Sequence, residues 1–182
     1  MDNKLFVISG TSGVGKGTVI KEFLKRNPEY KLSVSCTTRQ PRDGEVHGEN
    51  YFFLTREEFE ICKSRGEFLE WAEFSGNMYG TQRPYIEEKL AQGKRLILEI
   101  DTQGALNVKK IMPDAVLIFI LPPSFEELEA RLRGRHTETE EAIQKRLAST
   151  KLELENSKFF DYQVVNDNKD SAVQKLEAIM QA

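Results

Sequence analysis

Residues Gly10-Thr11-Ser12-Gly13-Val14-Gly15-Lys16-Gly17-Thr18 follow an apolar run, Leu5-Phe6-Val7-Ile8, and precede a segment whose apolar residues at 20, 23 and 24 have helical spacing. A strand that turns through a glycine-rich loop straight into a helix leaves the chain little choice of local fold. Glycines let the backbone curl until its N–H groups point inward at one spot. The helix start adds unpaired N–H groups and a positive end. Such a loop takes an anion, and Lys16 can reach the terminal phosphates of a nucleoside triphosphate. The alternative, a glycine turn without a ligand, does not account for the flanking strand and helix. One position departs from the usual pattern: Gly17 stands where Ser or Thr would follow the lysine, and Thr18 comes next. The hydroxyl that helps to hold Mg²⁺ is absent or displaced by one residue. Thr18 and Asp101, directly or through water, are the candidate metal ligands.

The remaining apolar runs are 95–101, 115–120 and 162–165, separated by helical patterns at about 84–91, 105–111, 124–132, 138–154 and 170–180. Nearly continuous apolar strands between helices predict an α/β fold, a parallel sheet covered on both faces in three layers. Ligands of such sheets bind beyond the carboxyl ends of the strands, which puts the glycine loop and Asp101 at one edge. Residues 31–83 break the alternation. Short β pieces at 33–35, 51–54 and 68–71 surround one helix, Arg56 to Ser64, with Gly44, Gly48, Gly76 and Gly80 as turns. This reads as an inserted unit with some antiparallel sheet. A second insertion is expected at 133–137, with Thr137 and Glu140 as a capping box for the next helix. An arginine-bearing flap between capped helices has the form of a closing lid.

Composition narrows the function classes. With 182 residues the chain is one core with small insertions. A net charge of −3 argues against bulk electrostatic binding of nucleic acid, so anionic substrates fall to local arginine groups. Cys36 and Cys62, the two cysteines, have no metal-ligand spacing and suit a reducing compartment. No apolar run is long enough to span a membrane. Met1-Asp2-Asn3-Lys4 runs straight into a strand and leaves no room for a signal peptide, so a cytoplasmic location is expected.

The inserted segment carries further chemistry. Arg39 and Arg42 flank Pro41 on a stiff turn, and two guanidinium forks suit a phosphate. Two such arginines alone would read as a solvated basic loop. Their company is Tyr51 and Tyr79 as phenolic donors, with Ser35, Glu70, Thr81 and Asp101 as further polar groups. Glu70 sits among large apolar neighbours in Glu67-Phe68-Leu69-Glu70-Trp71-Ala72. A fixed carboxylate there can accept N1–H and the 2-amino group of guanine together. Adenine has neither donor, and a site built on hydrogen bonds rejects the wrong partner by about 10⁴ or more. Ser35 or Thr81 could donate to O6. The alternative is that Glu70 merely alternates outward from a strand.

The chain resembles guanylate kinases along essentially its whole length. The resemblance is carried by GTSGVGKGT, SVSCTTRQPRDGEVHGENYFF, FLEWAEFSGNMYGT, LILEIDTQG, LPPS, RLRGRHTETEEAIQKRL and VVND. It implies transfer of the γ-phosphoryl group of ATP to GMP, and to dGMP, with Mg²⁺. It implies a core at 1–33, 84–125 and 146–182, a GMP-binding subdomain at 34–83 and a lid at 126–145. By position, Gly10 to Thr18 hold ATP. Ser35, Glu70, Thr81 and Asp101 read guanine, and Arg39, Arg42, Tyr51 and Tyr79 hold the GMP phosphate. Arg131, Arg135 and Arg146 reach the transferring phosphoryl group, and Asn166 lies near adenine. Lys16 and Arg39 join the three lid-region arginines as the catalytic set. Arg131 and Arg135 are four apart, on one helix face if that helix runs on, and an ion pair with Glu127 or Glu138 is the other reading of them. The expected partners are ATP and GMP, with no nucleic acid and no membrane. Two rivals remain. Asp101-Thr102-Gln103-Gly104 has the D-x-x-G form of GTPases, although Asn168-Lys169-Asp170-Ser171 has Ser171 where the guanine-reading motif needs Asp. Some guanylate-kinase-like domains are scaffolds that have lost parts of the phosphate loop, whereas Gly10, Gly15, Lys16 and both acceptor arginines are present here.

Overall fold

The computed structural model describes residues 4–74, 76–134 and 139–182, excepting the side chains of Phe74, Arg131 and Leu132. In chain order the elements are β1 (Leu5–Gly10), α1 (Lys16–Arg26), β2 (Tyr30–Leu32), β3 (Cys36–Thr37), β4 (Phe52–Phe53), α2 (Arg56–Ser64), β5 (Phe68–Phe74) and β6 (Asn77–Gln82). They continue with α3 (Arg83–Ala91), β7 (Arg95–Glu99), α4 (Thr102–Ile111), β8 (Val116–Leu121), α5 (Phe125–Arg133), α6 (Glu140–Asn156), β9 (Tyr162–Val165) and α7 (Lys169–Met180).

Strands β2-β7-β1-β8-β9 form one sheet, all pairings parallel, with β1 at its centre. The apolar runs divide by parity, as side chains that alternate across a strand must. Phe6, Ile8, Ile97, Ile118 and Ile120 face a core shared with α1 and α7 through Ile20, Phe23, Val173 and Leu176. Leu5, Val7, Leu96, Leu98, Leu117 and Phe119 face the opposite core with Ile86, Ala105, Val108 and Phe160. Both faces are dry, which is why these strands lack polar alternation.

The second sheet, β4-β3-β6-β5, is mixed: β3 pairs with β4 in parallel, while β6 runs antiparallel to β3 and β5. Its core is Cys36, Phe59, Phe68 and Met78, under α2. Thr55 opens α2 with a complete capping box to Glu58.

Three sequence expectations need correction here. Ser33-Val34-Ser35 is not a strand. The chain stays in the parallel sheet through β2, makes a last bond from Ser33 N–H to Ile97 O at 2.8 Å, and joins the other sheet only at Cys36. Tyr30 explains the early strand: it is buried and donates its hydroxyl to Met180 O at 2.7 Å. Gly80 is not a turn. Gly76 (φ 76°) lies in the β5–β6 connection, and Gly80 is inside β6, where an added Cβ would lie 2.9 Å from Phe68 Cδ1 and 3.1 Å from Phe59 Cζ. Finally, α6 begins at Glu140 with Thr139 as its cap, accepting from Ala142 N–H at 3.3 Å. Glu140 is therefore the first helical residue instead of the third, and Thr137 lies outside the described residues, as do Met1 to Asn3. Arg133 ties α5 to α6, bonding Glu129 at 2.8 Å and, with Nη2, Glu140 at 2.9 Å. That pairing holds the Glu140 carboxyl down at about 2.

Replacing Gly80 with alanine should force the Phe59–Phe68 stack apart. A loss of about 1–3 kcal/mol is expected, in the range of overpacked cores, read as an earlier midpoint in urea unfolding with an unchanged slope.

Candidate active site

The loop between β1 and α1 is shaped by a few contacts. Gly13 (φ 82°) and Gly15 (φ 88°) take the left-handed conformation, and α1 starts without a side-chain cap. Val14 is buried and anchors the loop, its N–H donating to Thr11 O at 3.2 Å. A Cβ on Gly10 would lie 2.7 Å from Ile120 O, so β1 can approach β8 only with glycine at its end. Asn166, just past β9, braces the loop: its Nδ2 donates to Val14 O at 2.7 Å, and a Cβ on Gly15 would meet that nitrogen at 3.0 Å. Sequence reasoning placed Asn166 near adenine. Its amide nitrogen is committed to the loop backbone.

The loop opens onto a cleft of about 510 Å³ lined by Gly10, Ser12 and Lys16 on one side and Ser35, Asn50 and Tyr51 on the other, with Glu99, Asp101 and Glu153 between. The carboxyl ends of β1 and β7 thus meet the second sheet, as expected for this architecture. Asp101 caps α4, accepting from Gly104 N–H at 2.7 Å. Burial lowers the Lys16 ammonium below its ordinary range, and Glu99, Glu153 and Asp101 pull it partly back. Sequence reasoning missed Glu99 and Glu153. Glu99 was legible: it is two residues before Asp101 at the end of an apolar strand, hence on the same side. Glu153 lies seven residues after Arg146 on α6, one helical face. Burial raises its carboxyl, while the Ser12 backbone and Lys16 beside it pull the other way.

The facing wall comes from the second sheet. Arg39 lies 5.5 Å from the Tyr51 ring, and the Tyr51 and Tyr79 rings are 6.1 Å apart. Arg42 is exposed on the following turn. Glu70 is 8% exposed and accepts from the buried Thr81 hydroxyl at 2.6 Å. A Cβ on Gly104 would lie 3.0 Å from Glu70 Oε2, so the start of α4 leaves room for this carboxylate. Burial and the charge of Asp101 push Glu70 up to about 7 against the bond from Thr81. Ser35, Tyr51 and Asp101 line the cleft itself, while Glu70 borders a neighbouring hollow of about 390 Å³.

The other predicted residues fare unequally. Arg146 reaches the loop, Nη1 lying 3.4 Å from Ser12 Oγ. The Arg131 side chain and all of Arg135 lie outside the described residues. Thr18 is exposed on α1 and does not line the cleft. The two GTPase-like strings are helix starts: Asp101 caps α4, and Asn168 Oδ1 caps α7 by accepting from Asp170 and Ser171 N–H at 2.9 and 3.3 Å. Among the described residues no three His, Cys, Asp or Glu side chains form a self-contained metal cage. Hard oxygen donors do converge at the phosphate loop in Glu99 and Asp101. That donor set suits a cation such as Mg²⁺, which keeps its waters and takes ligands from nucleotide phosphates.

A glycine loop with its lysine, facing Ser35 and Tyr51 across one cleft, with the Arg39 guanidinium 5.5 Å from the Tyr51 ring, defines a phosphate-loop phosphotransferase acting on nucleotides. The comparisons agree and narrow it. The guanylate kinase family model matches residues 2–182. Guanylate kinase of Synechocystis sp. is 53% identical over 173 residues, 95% of this chain and 91% of that protein. The enzyme of Prochlorococcus marinus is 51% identical over 98% of this chain and 95% of its own length. The crystal structure of guanylate kinase from Anaplasma phagocytophilum superposes with a TM-score of 0.75 at 34% identity, covering 98% of this chain and 84% of that one. The chain belongs to the guanylate kinase family, and its activity is ATP-dependent phosphorylation of GMP. Neither the GTPase nor the scaffold reading is favoured.

Glu70 makes the ligand-free protein pH-sensitive. Its folded value, about 7, exceeds the ordinary 4.5, so its stabilising contribution is complete below pH 4.5 and is lost as pH rises through about 7. Between pH 5 and 8 this group should remove about 2–3 kcal/mol. Glu70→Gln should abolish that component in urea unfolding at the two pH values.

Proposed function

We propose that the two nucleotides meet in the cleft between the glycine loop and the second sheet, each held by its own wall. The observation that carries this is the single cavity shared by Lys16, Asp101, Ser35 and Tyr51. Residues Gly10 to Thr18 bind the ATP phosphates through loop N–H groups and Lys16. Arg39, Arg42, Tyr51 and Tyr79 hold the GMP phosphate, while Ser35, Glu70, Thr81 and Asp101 read guanine. Ionised Glu70 accepts from N1–H and the 2-amino group. In ligand-free protein its raised value favours the proton, so acceptor binding and loss of that proton go together.

An oxygen of the GMP phosphate attacks the γ-phosphorus in line, the bond to the β–γ bridging oxygen breaks, and ADP and GDP form. The chain supplies alignment and charge. Lys16 stays on the donor side. Arg146, beside Ser12, is placed to meet the equatorial oxygens, and Arg131 and Arg135 are assigned the same role by family position. The family uses a divalent cation with ATP. Mg²⁺ is the proposed ion, held by the phosphates with Glu99 and Asp101, through water, as the protein's carboxylates; it would neutralise charge on the β and γ oxygens. The proposed division is a core at 1–33, 84–125 and 146–182, a GMP-binding part at 34–83 and a lid at 126–145. Among the described residues no helix is long and apolar enough to cross a membrane; a cytoplasmic enzyme that also accepts dGMP is the accompanying proposal.

ADP release from ATP and Mg²⁺ should occur with GMP and not with AMP, UMP or CMP. Lys16→Ala should lower turnover by about 10³-fold or more, the scale of a lost transition-state cation, while still unfolding in one cooperative transition. Turnover equal to the parent's would refute the role of Lys16.

A further inference from the structure

Glu45 belongs to none of the groups assigned above, yet it is the carboxylate that Arg39 grips with both terminal nitrogens. Arg39 Nη1 donates to Glu45 Oε2 at 3.0 Å and Nη2 donates to Oε1 at 2.9 Å. Nη1 also donates to Gln40 O at 2.7 Å. These bonds take both protons of Nη1 and one of Nη2. What remains is the Nε proton and the Nη2 proton beside it, the side-on edge of the guanidinium. That edge is itself a two-pronged donor fitted to a phosphate.

The same carboxylate is bound to the turn that bears the second arginine. Oε2 accepts from Arg42 N–H at 2.7 Å, and Glu45 N–H donates to Arg42 O at 3.0 Å. The rings of Tyr51 and Phe53 lie 5.5 and 5.9 Å from the Arg39 guanidinium carbon. An ordinary surface ion pair is worth little because its partners move freely. This one is two-pronged, anchored to backbone, and its side chains are only 15% and 19% exposed.

We propose that Glu45 is a positioning residue for the acceptor: it occupies one edge of Arg39, fixes it against the Arg42 turn, and leaves the other edge facing the GMP phosphate. The proposal rests on Arg39 being a phosphate ligand. A carboxylate that merely filled the phosphate site would have to leave when GMP arrived. Glu45 uses the edge that GMP does not need and stays.

The test compares GMP with guanosine, which lacks the phosphate, by calorimetric titration of the parent, Glu45→Gln, Glu45→Asp, Arg39→Lys and the double variant Glu45→Gln/Arg39→Lys. Glutamine keeps one acceptor oxygen and loses the two-pronged grip. GMP should bind about tenfold more weakly to Glu45→Gln, the scale of one lost charged hydrogen bond. Guanosine affinity and the KM for ATP should not change, and Glu45→Asp should recover part of the loss. In the Arg39→Lys background Glu45→Gln should cost nothing further. Tighter GMP binding by Glu45→Gln would overturn the proposal, as would an equal loss for guanosine or an additive loss in the double variant. A different failure would mark the underlying reading: Arg39→Lys itself binding GMP as well as the parent does.

Discussion

The first turn of α1 begins with no side chain to satisfy its N–H groups. Helices α2, α4, α5, α6 and α7 do have such side chains, in Thr55, Asp101, Ser124, Thr139 and Asn168. Leaving four donors unpaired costs stability unless water or a ligand completes them. The surrounding residues keep that deficit open to an anion. Gly13 and Gly15 hold the turn, Asn166 binds its backbone from the far edge of the sheet, and Gly10 lets its strand press against Ile120. A side-chain cap at Gly15 would satisfy the helix and remove the site.

Charge in the cleft is divided in a way that fits two anionic substrates. The proposed donor side has one lysine among Glu99, Asp101 and Glu153, an arrangement that would favour a triphosphate carrying a divalent cation over a bare one. The acceptor side has arginine, with Glu45 taking part of its hydrogen-bonding capacity and none of its reach. The proposed reader of guanine lies in a third direction, where burial makes the Glu70 carboxylate costly until a donor meets it.

Most of the core was legible because its cause is local and periodic. β1, β7 and β8 are buried runs, and α2 could be bounded to the residue by Thr55, Glu58 and the following glycine. β2 and β6 were not legible. β2 is three residues long and depends on a bond from Tyr30 to the last turn of α7, a contact 150 residues away. β6 contains Asn77 and Gly80, which as residue types argue for a turn; only the facing Phe59 and Phe68 explain the glycine. The glycine loop could be read as a motif, as could the residues proposed to read guanine. Glu153 could not, because it comes to the loop only through the tertiary fold, and Glu45 could not, because its bonds to Arg39 and Arg42 depend on the irregular turn between them. Asp101-Thr102-Gln103-Gly104 shows the opposite hazard, a string whose spacing follows from capping a helix.

The central place of β1 has a consequence for how the chain is made. β1 leaves the ribosome well before its sheet neighbours: Leu5 pairs with Leu96 and Phe6 with Val116. The second sheet draws all its strands from the interval between Cys36 and Gln82 and can close earlier. At synthesis rates of about 5–20 residues per second, β1 waits roughly 5–20 seconds with both edges unpaired. The strand that launches the glycine loop is thus an aggregation hazard in the nascent chain, and pressure for quick burial or chaperone cover falls on the segment that positions that loop.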